Sequence, residues 1–104
     1  MGAAAKAQSK KSPPPPPARV LVVDDEPGLI EVIDDVVGRG MGCCVVTAAS
    51  VAQARKIIAT QGIELLVADL NLPDGDGMAL LPALREFQPF ASAIVITGSF
   101  TRFY

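Results

Sequence analysis

The chain has 104 residues, half of them hydrophobic and 19% charged, which suits one small domain with a core and leaves no room for a second. Residues 1–19 hold Lys6, Lys10, Lys11 and Arg19 with no acid, whereas the remainder holds five basic against eleven acidic residues, for −2 overall. An acidic body argues against nucleic acid as the main partner, no apolar run approaches the ~18 residues of a membrane span, and the start lacks the apolar core of a secretory signal, so a soluble cytoplasmic protein is expected.

Residues 1–17 pass from Ala, Lys and Ser into five consecutive prolines, a composition that cannot bury apolar surface. A disordered arm ending in a polyproline II spacer is expected over residues 1–18, with the folded part at 19–104. Lys6 stands where an acylation motif beginning at Gly2 needs Ser or Thr. "VLVV" (20–23) is a short β-branched run, as in a strand covered on both faces. Pro27 opens a helix on which Leu29, Val32, Ile33, Val36 and Val37 recur at helical spacing up to Gly38 and Gly40. "CCVVTAA" (43–49) reads as a second strand. With no His in the chain and no other Cys, Cys43 and Cys44 are expected to be buried reduced thiols rather than zinc ligands or a disulfide framework.

Ser50 is an N-cap for a helix carrying Val51, Ala54, Ile57 and Ile58 and stopping at Gly62. "ELLVAD" (64–69) is a third strand, "MALLPALREF" (78–87) a third helix with Pro82 loosening its first turns, and "SAIVIT" (92–97) a fourth strand. The alternation of apolar strands with amphipathic helices predicts an α/β fold, a doubly wound parallel sheet with right-handed crossovers.

Ligands of such sheets bind beyond the carboxyl ends of the strands, where Asp24, Asp25, Asp69 and Thr97 all fall. Adjacent carboxylates repel by roughly 4 kcal/mol per pair at 4 Å and an effective interior dielectric. A hard cation such as Mg²⁺ relieves that repulsion and keeps coordination positions open for phosphoryl oxygens. Asp69, where an apolar strand gives way to loop, suits a nucleophilic carboxylate that forms an aspartyl phosphate, and Thr97 suits a hydrogen bond to a phosphoryl oxygen. Glu26 is either a helix cap or a secondary metal contact, while Asp74 and Asp76 are expected to be turn residues.

"VLVVDDEPGL", "LLVADLNLPDGDGM" and "AIVITGS", in this order and spacing, resemble receiver domains of two-component response regulators. The resemblance implies a flavodoxin-like receiver fold. It makes Asp69 the phosphoacceptor, Asp24 and Asp25 the metal-site acids, Asn71 the donor of a backbone carbonyl to Mg²⁺ and Thr97 the switch hydroxyl. Gly98 takes the small-residue position beside the phosphoryl group, and Leu72, Pro73, Gly75 and Gly77 match the turn after the acceptor strand. The implied partner is a histidine kinase or histidine phosphotransfer domain, and the implied protein is a phosphorelay switch that only phosphorylates and dephosphorylates itself.

A receiver continues into a fifth strand that begins with a phosphate-pairing Lys, and then a fifth helix. This chain ends at "GSFTRFY", so four of the usual five strands are expected. The fourth is then an exposed apolar edge that invites a dimer, and one sheet face is covered by the first helix alone. Without that Lys, an alternative is a pseudo-receiver or fragment acting only as an interaction module. An aspartate-nucleophile phosphohydrolase needs a second Asp where this chain has Asn71.

Overall fold

The structure, a computed structural model, describes residues 18–97 and 100–104. The proline arm, Gly98 and Ser99 lie outside the described residues. Strand β1 (Arg19–Val23), helix α1 (Pro27–Ile33), β2 (Cys44–Ala48), α2 (Val51–Thr60), β3 (Leu65–Asp69), α3 (Leu80–Phe87) and β4 (Ser92–Thr97) follow the expected alternation. The strands lie side by side as β2-β1-β3-β4, all parallel. Because Val23 pairs with Ala68 and Asp69 with Ile96, Asp24, Asp69 and Thr97 emerge within a residue of the same level.

Each local choice has a physical cause. The Ser50 hydroxyl accepts the Gln53 amide (3.1 Å), and the Gln53 side chain reaches back to the Ala49 amide (2.9 Å), so donors of the α2 start are satisfied reciprocally. Pro82 is the third residue of α3, where a missing N–H is tolerated, and a 3-10 turn (Gly77–Ala79) precedes it. The first helix departs from expectation. Its α geometry ends at Ile33, and Asp34–Gly40 widens into a π-helical segment. A side chain at Gly38 would put its Cβ 2.8 Å from the Asp34 carboxylate, so the glycine makes room for that widened turn.

The sheet buries its two faces unequally. Leu21, Leu66, Ala68 and Ala93 pack with Ile58 of α2 and Leu80 and Leu84 of α3 in a core of fully buried residues. On the other face only Val20, Val22 and Val67 are fully buried, against half-buried Ile30, Ile33 and Val37. Ile94 and Ile96 at the β4 side of that face are also only half-buried, as expected for a face covered by α1 alone. Cys43 is half-buried at the margin of this cluster and Cys44 is exposed, which corrects the expectation of two buried thiols: Cys44 opens an edge strand and alternates to the face opposite Cys43, the face of Val46 and Ala48, at the outer margin of the sheet. Among the described residues no helix is long and apolar enough to cross a membrane.

The expectation of an open fourth edge is also corrected. Phe100–Phe103 forms a fifth strand, β5, antiparallel to β4, with Thr97 opposite Phe100 and Ile94 opposite Phe103. Tyr104 continues the ladder, exchanging both backbone hydrogen bonds with Ala93 at 2.7 and 3.0 Å. A parallel strand needs a crossover of a dozen or more residues, whereas an antiparallel one needs only a hairpin. The short segment after Thr97 therefore satisfies the edge within the same chain, and the surface on which the dimer expectation rested is occupied.

The segment between β3 and α3 is held tightly. Asn71–Leu72 pairs with Gly75–Asp76 in a two-stranded hairpin, and the Gly77 amide donates to the Leu70 carbonyl at 2.8 Å. Asp74, read from sequence only as a turn residue, places its two carboxylate oxygens on the Val51 and Ala52 amides of the α2 N-terminus, at 2.8 and 3.0 Å. Those amides hold its carboxyl below the usual 3.8.

Two predictions follow from this loop. A Cβ at Gly77 would sit 2.1 Å from the Asp69 carbonyl oxygen, whereas one at Gly28 meets nothing within 4 Å. Gly77→Ala should therefore lower stability in urea melts by about 1–3 kcal/mol, and Gly28→Ala should be neutral or slightly stabilising; equal effects would refute the close approach. Asp74 is depressed in the folded state, so its stabilisation is complete above pH 3.8 and is lost as pH falls through the lower folded value. Asp74→Ala should lower the melting temperature at pH 7, and the gap to the parent should close as the pH drops below 3.8. A gap that stays constant with pH would contradict the charged cap.

Candidate functional site

The carboxyl ends of β1 and β3 bring Asp24, Asp25 and Asp69 together. One carboxylate oxygen from each lies within 4.8 Å of the other two. Asp24 is 4% exposed, the one buried charged residue among those described. Its amide extends the sheet by donating to the Ala48 carbonyl (3.0 Å), and its Oδ1 accepts the Glu26 amide (2.8 Å). Burial pushes the Asp24 carboxyl above 3.8. The Glu26 and Asp25 amides oppose that rise, and the negative charges of Asp69 and Asp25 add to it. Asp25 is exposed, and Asp69 is half-buried at the rim.

Asp69 is fixed from both sides. Its Oδ1 accepts the Asn71 amide at 3.1 Å, and the next amide, Leu70, donates to the Ile96 carbonyl of β4 at 2.8 Å. Asn71 is exposed in the hairpin, and its amide is thus seen to orient Asp69. Thr97 ends β4 half-buried, one residue beyond the register partner of Asp69. Glu26 is the residue before α1, and its side chain makes no cap there; what it gives Asp24 is its backbone amide. Asp76 Oδ1 accepts the Met78 amide (2.8 Å), starting the turn that leads into α3. Lys56 lies exposed on α2.

Chemically this is a cluster of hard oxygens at a sheet end, with one carboxylate oriented by a neighbouring amide and Thr97 at the end of the adjacent strand. The sequence reading places Asp24, Asp25 and Asp69 at one end of the sheet, and the structure brings their carboxylates together there. That reading missed the part of Asp74, whose partners at the α2 start are 22 and 23 residues away. The only sequence signal for that partnership was an acid in the turn facing a helix start.

Comparison with known proteins agrees with this geometry. The family model of the response regulator receiver domain matches residues 20–104. The chain is 33% identical over 78 residues to the response regulator protein PilR of Pseudomonas aeruginosa, covering 75% of this chain and 17% of PilR. It is 37% identical over 79 residues to the photosynthetic apparatus regulatory protein RegA of Cereibacter sphaeroides, covering 76% and 42%. The chain thus spans less than half the length of these relatives. Among solved structures, the CheY-like receiver domain protein of Methanospirillum hungatei superposes with a TM-score of 0.73 at 27% identity, over 79% of this chain and 65% of that one. The beryllofluoride-activated NtrC4 receiver domain gives 0.71 at 34% identity, over 79% and 67%. With its parallel sheet, its flanking helices and its motifs in order, the chain belongs to the receiver domain family of response regulators.

Proposed function

We propose that this domain is a phosphoacceptor in a Mg²⁺-dependent cytoplasmic phosphorelay, with Asp69 receiving a phosphoryl group from the phosphohistidine of a histidine kinase or histidine phosphotransfer domain. The observation that carries the reading is the convergence of three carboxylates within 4.8 Å at the carboxyl end of a parallel sheet. The donors are all oxygen, a set that suits Mg²⁺, and Asp24, whose carboxyl is raised by burial first and by the Asp69 and Asp25 charges second, is a carboxylate that a divalent cation would stabilise. Asp24, Asp25, Asp69 and the Asn71 backbone carbonyl would hold the ion. When bound, it neutralises charge on the phosphoryl oxygens.

The chain's own residues account for the rest. The Asn71 amide holds one Asp69 oxygen, which aims the carboxylate at an incoming phosphorus. An Asp69 oxygen forms the new O–P bond as the P–N bond breaks, and the electron pair of that bond returns to the imidazole nitrogen. The product is an acyl phosphate, to which the Thr97 hydroxyl donates a hydrogen bond. Asn71 stands where a phosphohydrolase needs an acid/base Asp. Its amide cannot shuttle a proton, so the domain acts as a switch rather than a turnover enzyme.

Two outcomes test this reading. Treatment with a small-molecule phosphodonor and Mg²⁺ should add one hydroxylamine-labile phosphate to the parent, seen by intact mass spectrometry, and none to Asp69→Asn. An adduct on that variant removes Asp69 from its role. The second outcome concerns pH without metal. Because the folded Asp24 carboxyl lies above 3.8, the folded state binds the extra proton, and stability falls as pH rises from 3.8 through the folded value. Asp24→Asn should flatten that fall and melt a few degrees higher than the parent at pH 7 in EDTA. A lower melting temperature at pH 7 would mean that the Asp24 charge is already neutralised by the protein.

A further inference from the structure

The sheet register sets Asp24 and Asp69 against each other, because Val23 lies opposite Ala68 in adjacent strands. Asn71 has no such guarantee. It lies beyond the parallel sheet, at the start of a loop hairpin with two residues a side, and its amide holds the Asp69 carboxylate at 3.1 Å. The position of that backbone therefore depends on what fixes the hairpin.

The hairpin is fixed at its base, its flank and its tip. At the base the Gly77 amide donates to the Leu70 carbonyl at 2.8 Å, tying the hairpin to β3. On the flank Leu72 is buried with Val51 in the larger core. At the tip Asp74, in the turn between the paired residues, accepts the Val51 and Ala52 amides at 2.8 and 3.0 Å. A carboxylate held by two adjacent amides makes charge-assisted bonds that set direction as well as distance.

The anchor at the tip is itself part of the site's frame. The α2 start follows β2 through Ala49 and Ser50, and the last residue of β2, Ala48, accepts the Asp24 amide at 3.0 Å. Asp74 thus joins the loop that carries Asn71 to the turn whose strand holds Asp24, although its own bonds go to α2.

We propose that Asp74 is a positioning residue of the cation site: by pinning the hairpin tip to α2 it fixes the Asn71 backbone against Asp69 and so favours Mg²⁺ over Ca²⁺. Mg²⁺ demands near-octahedral oxygens at ~2.0–2.1 Å, whereas Ca²⁺ accepts flexible, more numerous oxygens at ~2.3–2.6 Å. A loosened Asn71 carbonyl penalises the smaller ion more. This inference rests on the metal reading above.

Two readouts on the full 104-residue chain test it, one of them without metal. In metal-free protein, amide exchange at Asn71 followed by NMR should rise about fivefold or more in Asp74→Ala, measured relative to the Val67 amide in mid-β3. In calorimetric titrations at pH 7, the same variant should weaken Mg²⁺ binding about fivefold or more and Ca²⁺ binding less than about twofold. Asp74→Asn, which keeps one acceptor oxygen, should fall between. Ser50→Ala controls for a merely structural role, since it removes the acceptor of the Gln53 amide at the same helix start. It should change neither the Asn71 exchange ratio nor the ion preference. A parent that binds no Mg²⁺ overturns the metal reading and this proposal together. With a parent that does bind, the proposal alone is overturned if Asp74→Ala and Asp74→Asn keep its Mg²⁺/Ca²⁺ ratio and Asn71 protection, or if Ser50→Ala shifts them as far.

Discussion

Three like charges must be held within 4.8 Å of one another, and most of what is distinctive in this fold serves that crowding. Adjacent parallel strands deliver Asp24 and Asp69 to one level, and amides do the rest. The Glu26 amide holds Asp24, and the Asn71 amide holds Asp69. A sheet end can supply such donors because its backbone runs out of strand partners there. The cost remains visible in the raised Asp24 carboxyl. Burial raises that carboxyl most, and the neighbouring Asp69 and Asp25 charges add to it.

The supporting structure is arranged around the same end. Gly77 lets the loop fold back onto the Asp69 carbonyl, and Asp74 ties that loop to the start of α2. Strand β3, the loop after it and the α2–α3 core thus form one block. The α1 face is thinner, with a π-helical end and half-buried Ile94 and Ile96 beneath it. The better packed face is the one that carries the loop after Asp69.

Much of this was legible in the sequence because the signals were local. The β-branched runs, Pro27, Ser50 and the acids at strand ends each act over a few residues, and the parallel order follows from their alternation. Non-local effects were hidden. The pairing of Asp74 with Val51 and Ala52 depends on two loops meeting in space. The exposure of Cys44 depends on β2 being an edge strand, with Cys44 at its outermost end. The open edge expected at β4 fails for a different reason: the sheet has four parallel strands as expected, but the segment after them was weighed only against a receiver's parallel fifth strand. That segment's own length and its Phe-Thr-Arg-Phe composition favour a hairpin, and β5 closes the edge in that way.

The central claim is that the three aspartates act as one cation-dependent site, and calorimetric titration with Mg²⁺ tests it most directly. The parent should bind one ion per chain at millimolar or tighter affinity, and Asp25→Ala and Asp69→Ala should each weaken binding by about tenfold or more, roughly 1.4 kcal/mol. If both variants titrate like the parent, the aspartates are neighbours without being a site, and the account is wrong.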